Sequence, residues 1–570
     1  MTRLRKVDIR NFRSIRALEW TPAPGINCLV GPGDSGKSSL LDAIDFCLGA
    51  RRGIQFSDSD FHGLDTTQAI EIYATVGELD PAMLSAEKYG IFFRGFDASA
   101  RTIEDEPRVG LETVLTVQLR VDADLEATWC LYSDRAAALD ALRNIAWSDR
   151  VRLAPLRLSA SSHRHFTWGT GSLLNRVSTE RIRSSSALAE AARHARAYFA
   201  SASVSTLPET LSLVQGIATE TGVELTPGVQ PMLDSGSVAF GAGNVSIHDG
   251  AAIPLSALGV GSSRLLISGL QRKTLDGASI VIVDEVEYGL EPHRLIRLLQ
   301  SLGSAAGPTP PQQVFLSTHS PVTICELGGQ HISILRRGPA GHLLTPVSCF
   351  PDVHGTVRAY PEALLARSVI VCEGATEVGL LRGLDLAYIQ QGCRSIAAAG
   401  VALIDAGGVG NIYSRANGLL SLGYRVAVLR DDDRQPDPTH ENHFLFHGGH
   451  LAKWQPGNNT EVELFSFLPD ATVFEMVRLA ADVHGQALVD AHLSSASYGS
   501  LTTTTLRAPF PQDVRQVIAR AAGGRTMGWF KSISIMEQLA RDVIAPAMSI
   551  ASPFSHTVQS LFQWAHAPRP

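Results

Sequence analysis

No Cys-x-x-Cys pair occurs among the seven cysteines (positions 28, 47, 130, 325, 349, 372 and 393), and no histidine cluster has zinc spacing. A structural zinc site and a disulfide scaffold are therefore not expected; the thiols read as reduced and mostly buried in a cytoplasmic protein. No run reaches about 18 uninterrupted apolar residues, so a membrane-spanning helix is not expected. The opening Met-Thr-Arg-Leu-Arg-Lys-Val lacks the apolar stretch of a secretory signal. Internal repeats and a sustained heptad pattern are also missing, which argues against repeat architectures and long coiled-coil arms. Basic charge is not in excess: 49 Lys and Arg against 56 Asp and Glu give a net charge of −7, unlike a protein that coats nucleic acid indiscriminately.

What is present is an ordinary globular composition, 45% hydrophobic and 18% charged, which excludes a disordered chain. At 570 residues the chain is too long for one core, and two or three domains are expected.

Residues 25–31 form a short apolar run ending in glycine, followed by Gly31-Pro-Gly33-Asp-Ser35-Gly36-Lys37-Ser38-Ser39 and then apolar residues at helical spacing from Leu40 to Leu48. Strand, glycine loop and helix in this order satisfy the GxxxxGK[ST] pattern. Its glycines let backbone N–H groups curl around phosphates at the positive end of a helix. Lys37 is expected on the β- and γ-phosphates and Ser38 on Mg²⁺. An acidic partner comes from Ile280-Val-Ile-Val-Asp284-Glu285, where Asp284 would reach the Mg²⁺ shell and Glu285 would polarise the attacking water.

Asp284 lies 247 residues after Lys37, too far for a minimal P-loop domain. The distance fits an ATPase carrying an insertion. Pro254-Leu-Ser-Ala-Leu-Gly259-Val-Gly261-Ser-Ser-Arg264 resembles a degenerate ABC signature loop, and Ser317-Thr-His319-Ser-Pro321 resembles the switch-histidine segment. The opening Leu4–Ser14 resembles the first strand of ABC ATPases of the RecF and SMC group. That resemblance implies a homodimer or higher even assembly, in which the signature of one head faces the P-loop of the other. The signature departs from the usual pattern, which points to nucleotide as a gate more than a motor.

Residues 140–235 are rich in Ala, Ser and Arg, with a helical stretch at Ser186–Ala202; 151–200 holds eight arginines, no lysine, and only Glu180 and Glu190 as acids. This segment reads as a helical insertion, either a dimerisation arm or DNA-facing surface, or simply a solvated helical face. Residues 340–365, with Pro346, Pro351 and Pro361, read as loop.

Three apolar strands follow, at Val369–Cys372, Val401–Ile404 and Val426–Leu429, separated by helix-compatible segments. They predict a small α/β domain with a parallel sheet. The first leads into Glu373-Gly374-Ala-Thr-Glu377, the second into Asp405, the third into Asp431-Asp432-Asp433. On an extended segment Asp431 and Asp433 share a face, with Asp432 opposed. Carboxylates crowded at adjacent strand ends repel one another unless hard divalent cations share the site. Two Mg²⁺ or Mn²⁺ ions about 4 Å apart would suit phosphodiester cleavage. From about 470 onward the pattern is mostly helical.

Glu373-Gly374 and Asp431-x-Asp433 resemble the two motifs of the Toprim domain. An ABC ATPase followed by Toprim resembles the OLD (overcoming lysogenization defect) nucleases, a family that includes the nuclease subunit of the Gabija antiphage system. The resemblance implies an ATPase domain over 1–345 and a Toprim domain with a helical extension over 346–570. It implies a DNA endonuclease that uses ATP with one Mg²⁺ and two ions at the Toprim site, held by Glu373, Glu377, Asp431 and Asp433. Double-stranded DNA and a helicase-like protein are the implied partners. It further implies an acidic position among Glu461 and Glu463, Glu463 preferred, and a lysine for the scissile phosphate, matched by Lys531. The alternative is a RecF- or SMC-like repair ATPase whose acidic domain binds metal without cleaving.

Overall fold

The computed structural model describes residues 2–50, 54–158, 166, 172, 174, 185–203, 208–221, 246–273, 279–305, 312–338, 341–350, 353–524 and 528–567. Much of the arginine-rich stretch 159–184 lies outside them.

Three sheets carry the chain. In the first, β1 (Arg3–Phe12), β2 (Ile15–Trp20), β4 (Ile70–Gly77), β5 (Phe93–Asp97), β6 (Thr102–Glu104), β7 (Glu112–Val121), β8 (Ala127–Tyr132) and β9 (Arg143–Asn144) pair antiparallel. Its alternation is plain in β1: Leu4, Val7 and Ile9 are buried, while Lys6, Asp8 and Arg10 face outward. A bulge between Leu4 and Lys6 resets the period.

The second sheet has the order β10-β11-β12-β3-β13-β14, with β3 (Ile26–Val30), β10 (Leu156–Leu158), β11 (Ile280–Val283), β12 (Gln313–Ser317), β13 (Ile332–Gly338) and β14 (Gly341–Pro346). All neighbours are parallel except the β13–β14 hairpin. Its inner strands are buried on both faces, hence the unbroken runs Ile-Asn-Cys-Leu-Val and Ile-Val-Ile-Val. The helix Lys37–Leu48 lies between the two sheets, packing Leu40, Leu41 and Ile44 with Phe315 of one and Ile72 and Val117 of the other.

The third sheet is parallel throughout, in the order β16-β15-β17-β18, with β15 (Ser368–Cys372), β16 (Val401–Asp405), β17 (Arg425–Arg430) and β18 (His450–Lys453). Helices from Thr460 to His566 cover one face around Trp529, Met536 and Phe554. The other face joins the second sheet in one continuous core, from Leu299 and Leu316 through Val357 and Leu364 to Val369, Leu419 and Val428.

The α/β reading, with a head carrying the glycine loop, a second parallel-sheet domain and a helical C-terminal region, holds. Two local expectations are corrected. Leu156–Leu158 is an edge strand of the head sheet, so 140–158 belongs to the head, not to an insertion. Residues 340–365 are not loop: they contain β14 and helices at His354–Ala359 and Glu362–Leu365. The half-buried β14 ends on Pro346, where an edge strand tolerates a missing donor. Among the described residues no helix is long and apolar enough to cross a membrane.

Candidate functional site

At the end of β3 the chain turns so tightly that a Cβ on Gly31 would lie 2.4 Å from the Leu335 carbonyl oxygen. Gly36 has φ +94°, a left-handed conformation that favours glycine, directly before the helix Lys37–Leu48. The loop lines a cavity of about 530 Å³ that brings together Gly33, Ser35, Gly36, Lys37, Ser38, Ser39, Glu285 and His319. The Lys37 ammonium donates to the carbonyls of Gly31 and Pro32, both at 3.0 Å, and burial lowers its pKa. A triphosphate would replace these carbonyls with stronger acceptors.

Ser38 donates to Asp284 Oδ1 at 3.2 Å, and Ser317 donates to the same oxygen at 2.5 Å. The P-loop and the acidic strand β11 therefore meet as their order in the chain predicts. His319 is held through its backbone N–H, which donates to Glu287 at 2.6 Å, while Thr318 donates to the other carboxylate oxygen at 2.7 Å.

Sequence reasoning missed Glu287, and it missed Arg264. Arg264, 3% exposed on the helix Val260–Lys273, donates to the carbonyls of Asp284 (3.2 Å), Glu285 (2.9 Å) and Tyr288 (3.3 Å). The signature-like segment thus fixes the turn that aims the acids. Gly261 allows this approach: a Cβ there would sit 2.3 Å from the Gly289 oxygen. Only the position of Arg264 in that segment hinted at such a role.

The second cluster forms at the carboxyl ends of β15 and β17. Glu373 Oε2 accepts the Asp431 N–H at 3.0 Å, tying the two strand ends together. Glu377 is 3% exposed; it accepts the Gly374 N–H at 2.7 Å and lies 2.5 Å from the Thr460 hydroxyl. Asp431 Oδ1 accepts the Thr460 N–H at 3.0 Å and lies 3.0 Å from the Thr460 hydroxyl oxygen. Burial and then the charges of Glu377 and Glu373 push the Asp431 carboxyl up to about 9. Burial pushes Glu377 up to about 7 and raises Glu373 as well. Asp433 is exposed and adds its charge against Glu373. Asp432 faces away, as expected, bonded to Arg430 (3.2 Å) and Lys453 (3.1 Å). Asp405 turns back to the Gly407 N–H at 2.7 Å.

Glu463, the preferred acidic position, has one carboxylate oxygen bonded and the other, Oε1, buried without a hydrogen-bond partner. Its carboxylate accepts from Asn458 at 2.7 Å and the Gln455 N–H at 3.2 Å, pinning the preceding loop. Glu461, 5% exposed, is the residue that joins the cluster: its charge acts on Glu377 and Asp431, and Asp433 and Lys531 act on it. Residues two apart in the helix Thr460–Phe467 point about 200° from one another, so only one can face the strand ends. Lys531 is exposed, 3.3 Å from the Gly523 carbonyl, with Glu461 within range of its charge.

Among the described residues no group of three or more His, Cys, Asp or Glu side chains is arranged so that it could hold a metal ion. The expected ligand shell of Glu373, Glu377, Asp431, Asp433 and Glu463 is thus not preassembled. Thr460 and backbone N–H groups occupy oxygens that a cation would take. The donor set still suits a hard cation: all donors are carboxylate oxygens, their charges oppose one another, and the buried Oε1 atoms of Glu461 and Glu463 have no hydrogen-bond partner.

Residues 26–325 match the family described as "AAA domain, putative AbiEii toxin, Type IV TA system". Residues 364–433 match "Overcoming lysogenization defect protein-like, TOPRIM domain". Fold, motifs and matches define a P-loop ATPase head joined to a Toprim domain. The chain belongs to that AAA family, and with its Toprim domain it has the ATPase–Toprim organisation of the OLD family. It is 38% identical over 66 residues to a chromosome partition protein Smc of Methanocaldococcus jannaschii (12% of this chain, 6% of the relative). It is 44% identical over 45 residues to a DNA replication and repair protein RecF of Chlorobium luteolum (8% and 12%). The Smc head domain of Pyrococcus furiosus aligns with 63% of this chain and 100% of its own, at 12% identity and TM-score 0.34.

Proposed function

We propose that this protein is an ATP-binding, divalent-metal-dependent endonuclease acting on double-stranded DNA, with cleavage in the Toprim domain and nucleotide as the gate. The observation that carries the reading is the buried set of Glu373, Glu377 and Asp431 at two adjacent strand ends with Glu461 on the facing helix, whose carboxyl pKa values are raised first by burial and then by neighbouring carboxylate charge. Such a set is stable only with protons or cations in it. Glu373, Asp431, Asp433 and Glu461 would hold Mg²⁺ or Mn²⁺, which supplies Lewis-acid and water-activating chemistry when bound. Glu377 and Thr460 orient Asp431, and Lys531 stands ready to offset charge on the scissile phosphate.

Two features support gating. The head and the Toprim sheet share one core, so a shift of the head strands is felt at β15 and β17. The P-loop lysine and Asp284 are held by protein partners that nucleotide and Mg²⁺ would displace. A homodimer is supported by the helices Ser185–Ser203 and Pro208–Thr221, which expose Tyr198 (77%), Leu213 and Ile217. A role in antiphage defence beside a helicase-like protein follows from the family resemblance.

The test is supercoiled plasmid incubated with the protein and Mg²⁺ or Mn²⁺, with and without ATP. Nicked or linear product that needs the metal and disappears with a chelator is expected. No product under any metal and nucleotide condition contradicts the proposal in favour of a metal-binding repair ATPase.

A further inference from the structure

The P-loop pocket has two sides. Asp284, Glu285 and His319 stand on the side of β11 and β12, where γ-phosphate and Mg²⁺ belong. The opposite side is built by the β13–β14 hairpin, because β13 pairs in parallel with β3 (Ile334 opposite Val30) and runs past the loop. Two cationic or hydrogen-bonding side chains face each other there, Arg337 and His342, directly opposed in the hairpin register.

Arg337 is exposed, lines the nucleotide cavity, and forms no ion pair or hydrogen bond among the described residues. An unpaired guanidinium beside a phosphate loop has an anion as its natural partner. His342 reaches under the loop: a Cβ on Gly36 would meet His342 Nε2 at 3.3 Å and Ser14 Oγ at 2.9 Å. Both ring nitrogens of His342 are buried from water yet lack any hydrogen-bond partner. Ser14, 3.0 Å from Ser39 Oγ, closes this corner from β1–β2.

We propose that Arg337 forms the hairpin-side wall of the P-loop pocket and takes the α-phosphate of a nucleoside triphosphate, while His342 backs the loop beneath Gly36 without reaching the ligand. The assignment rests on the loop being a nucleotide site. It makes the hairpin, which follows every recognised ATPase motif in the chain, the determinant of how tightly nucleotide is held.

Equilibrium binding of ATP and of inorganic tripolyphosphate to the full chain, with Mg²⁺, separates the parts. Arg337→Gln is expected to weaken both ligands by about tenfold or more, the effect of losing one charge-assisted hydrogen bond. His342→Gln, beneath the loop and outside the cavity, is expected to leave both ligands within about twofold, so the loss in Arg337→Gln is specific to the guanidinium. Arg337→Gln is on the surface and keeps the fold, so ATP affinity in it within about twofold of wild type overturns the proposal. Lys37→Ala is the control. If wild type binds no ATP, or Lys37→Ala binds as well as wild type, the nucleotide site itself is misassigned; if Lys37→Ala abolishes binding and Arg337→Gln does not change it, only the hairpin assignment fails.

Discussion

The hydroxyl of Thr460 lies 2.5 Å from a carboxylate oxygen of Glu377, and the same hydroxyl lies 3.0 Å from Asp431 Oδ1. Trp454 Nε1–H already donates to the Thr460 hydroxyl oxygen at 2.8 Å. A threonine hydroxyl has one proton, so it can serve only one of the two carboxylates. The other contact needs a proton on the carboxyl, which is what burial and mutual repulsion favour. Thr460→Val should therefore leave two buried acids and the indole N–H short of partners and destabilise the metal-free protein by about 1–3 kcal/mol. Thr460→Ser should restore most of the loss in thermal melts; equal melting temperatures for Val and wild type would remove Thr460 from the site's architecture.

A pH dependence follows from the same groups. A carboxyl whose pKa is raised on folding binds its proton more tightly in the folded state, so its stabilisation is complete below the ordinary carboxylate range and lost as pH rises through the folded value. With Asp431 near 9 and Glu377 near 7, the metal-free protein should lose stability steadily between about pH 5 and 9. Asp431→Asn should flatten this slope, and Mg²⁺ should raise the wild-type melting temperature at pH 8 far more than that of the variant. Parallel pH curves for the two proteins would contradict the crowding of these acids.

Arg264 should matter to hydrolysis rather than to nucleotide affinity. It touches carbonyls of the acidic turn, not the cavity itself. Arg264→Met keeps the volume and removes the hydrogen bonds, leaving Asp284 and Glu285 poorly aimed. ATP turnover should fall by on the order of tenfold to a hundredfold, with ATP affinity changed only a few-fold. Unchanged turnover would show that the turn holds itself.

Arg336 and Tyr424 connect the two halves. The guanidinium is buried, none of its three nitrogens has a hydrogen-bond partner, and it stacks 3.7 Å over the Tyr424 ring, one residue before β17 leads to Asp431. A desolvated cation–π pair is worth about 2 kcal/mol. A double-mutant cycle of Arg336→Met and Tyr424→Leu should give a coupling energy of about 1–2 kcal/mol in stability. The same variants should weaken the effect of ATP on cleavage while sparing metal-dependent cleavage alone.

What was legible in the sequence is what is local. Gly31–Ser39, Asp284-Glu285 and Glu373-Gly374 each sit in one strand-and-turn unit whose pattern is complete within a few residues. The parallel strands of the third sheet were equally plain, since burial on both faces demands unbroken apolar runs. The edge strands β14 and β18 were not, because Gly-His-Leu-Leu-Thr-Pro and His-Leu-Ala-Lys are short and only half buried. Glu461 and Glu463 could not be told apart without the rotation of their helix. Arg264, Glu287 and Thr460 act on residues 20 or more positions distant, and no spacing announces such partners. Arg336 is invisible for the same reason: its ring partner is 88 residues away.

The most direct measurement is plasmid cleavage with Mn²⁺ by Glu373→Ala and Lys37→Ala side by side with wild type. Cutting in the Toprim half under nucleotide control predicts that Glu373→Ala abolishes nicking in every nucleotide condition. Lys37→Ala should still nick, with a rate that no longer responds to ATP. Nicking that survives in Glu373→Ala, or is lost in Lys37→Ala with no nucleotide present, would contradict this account.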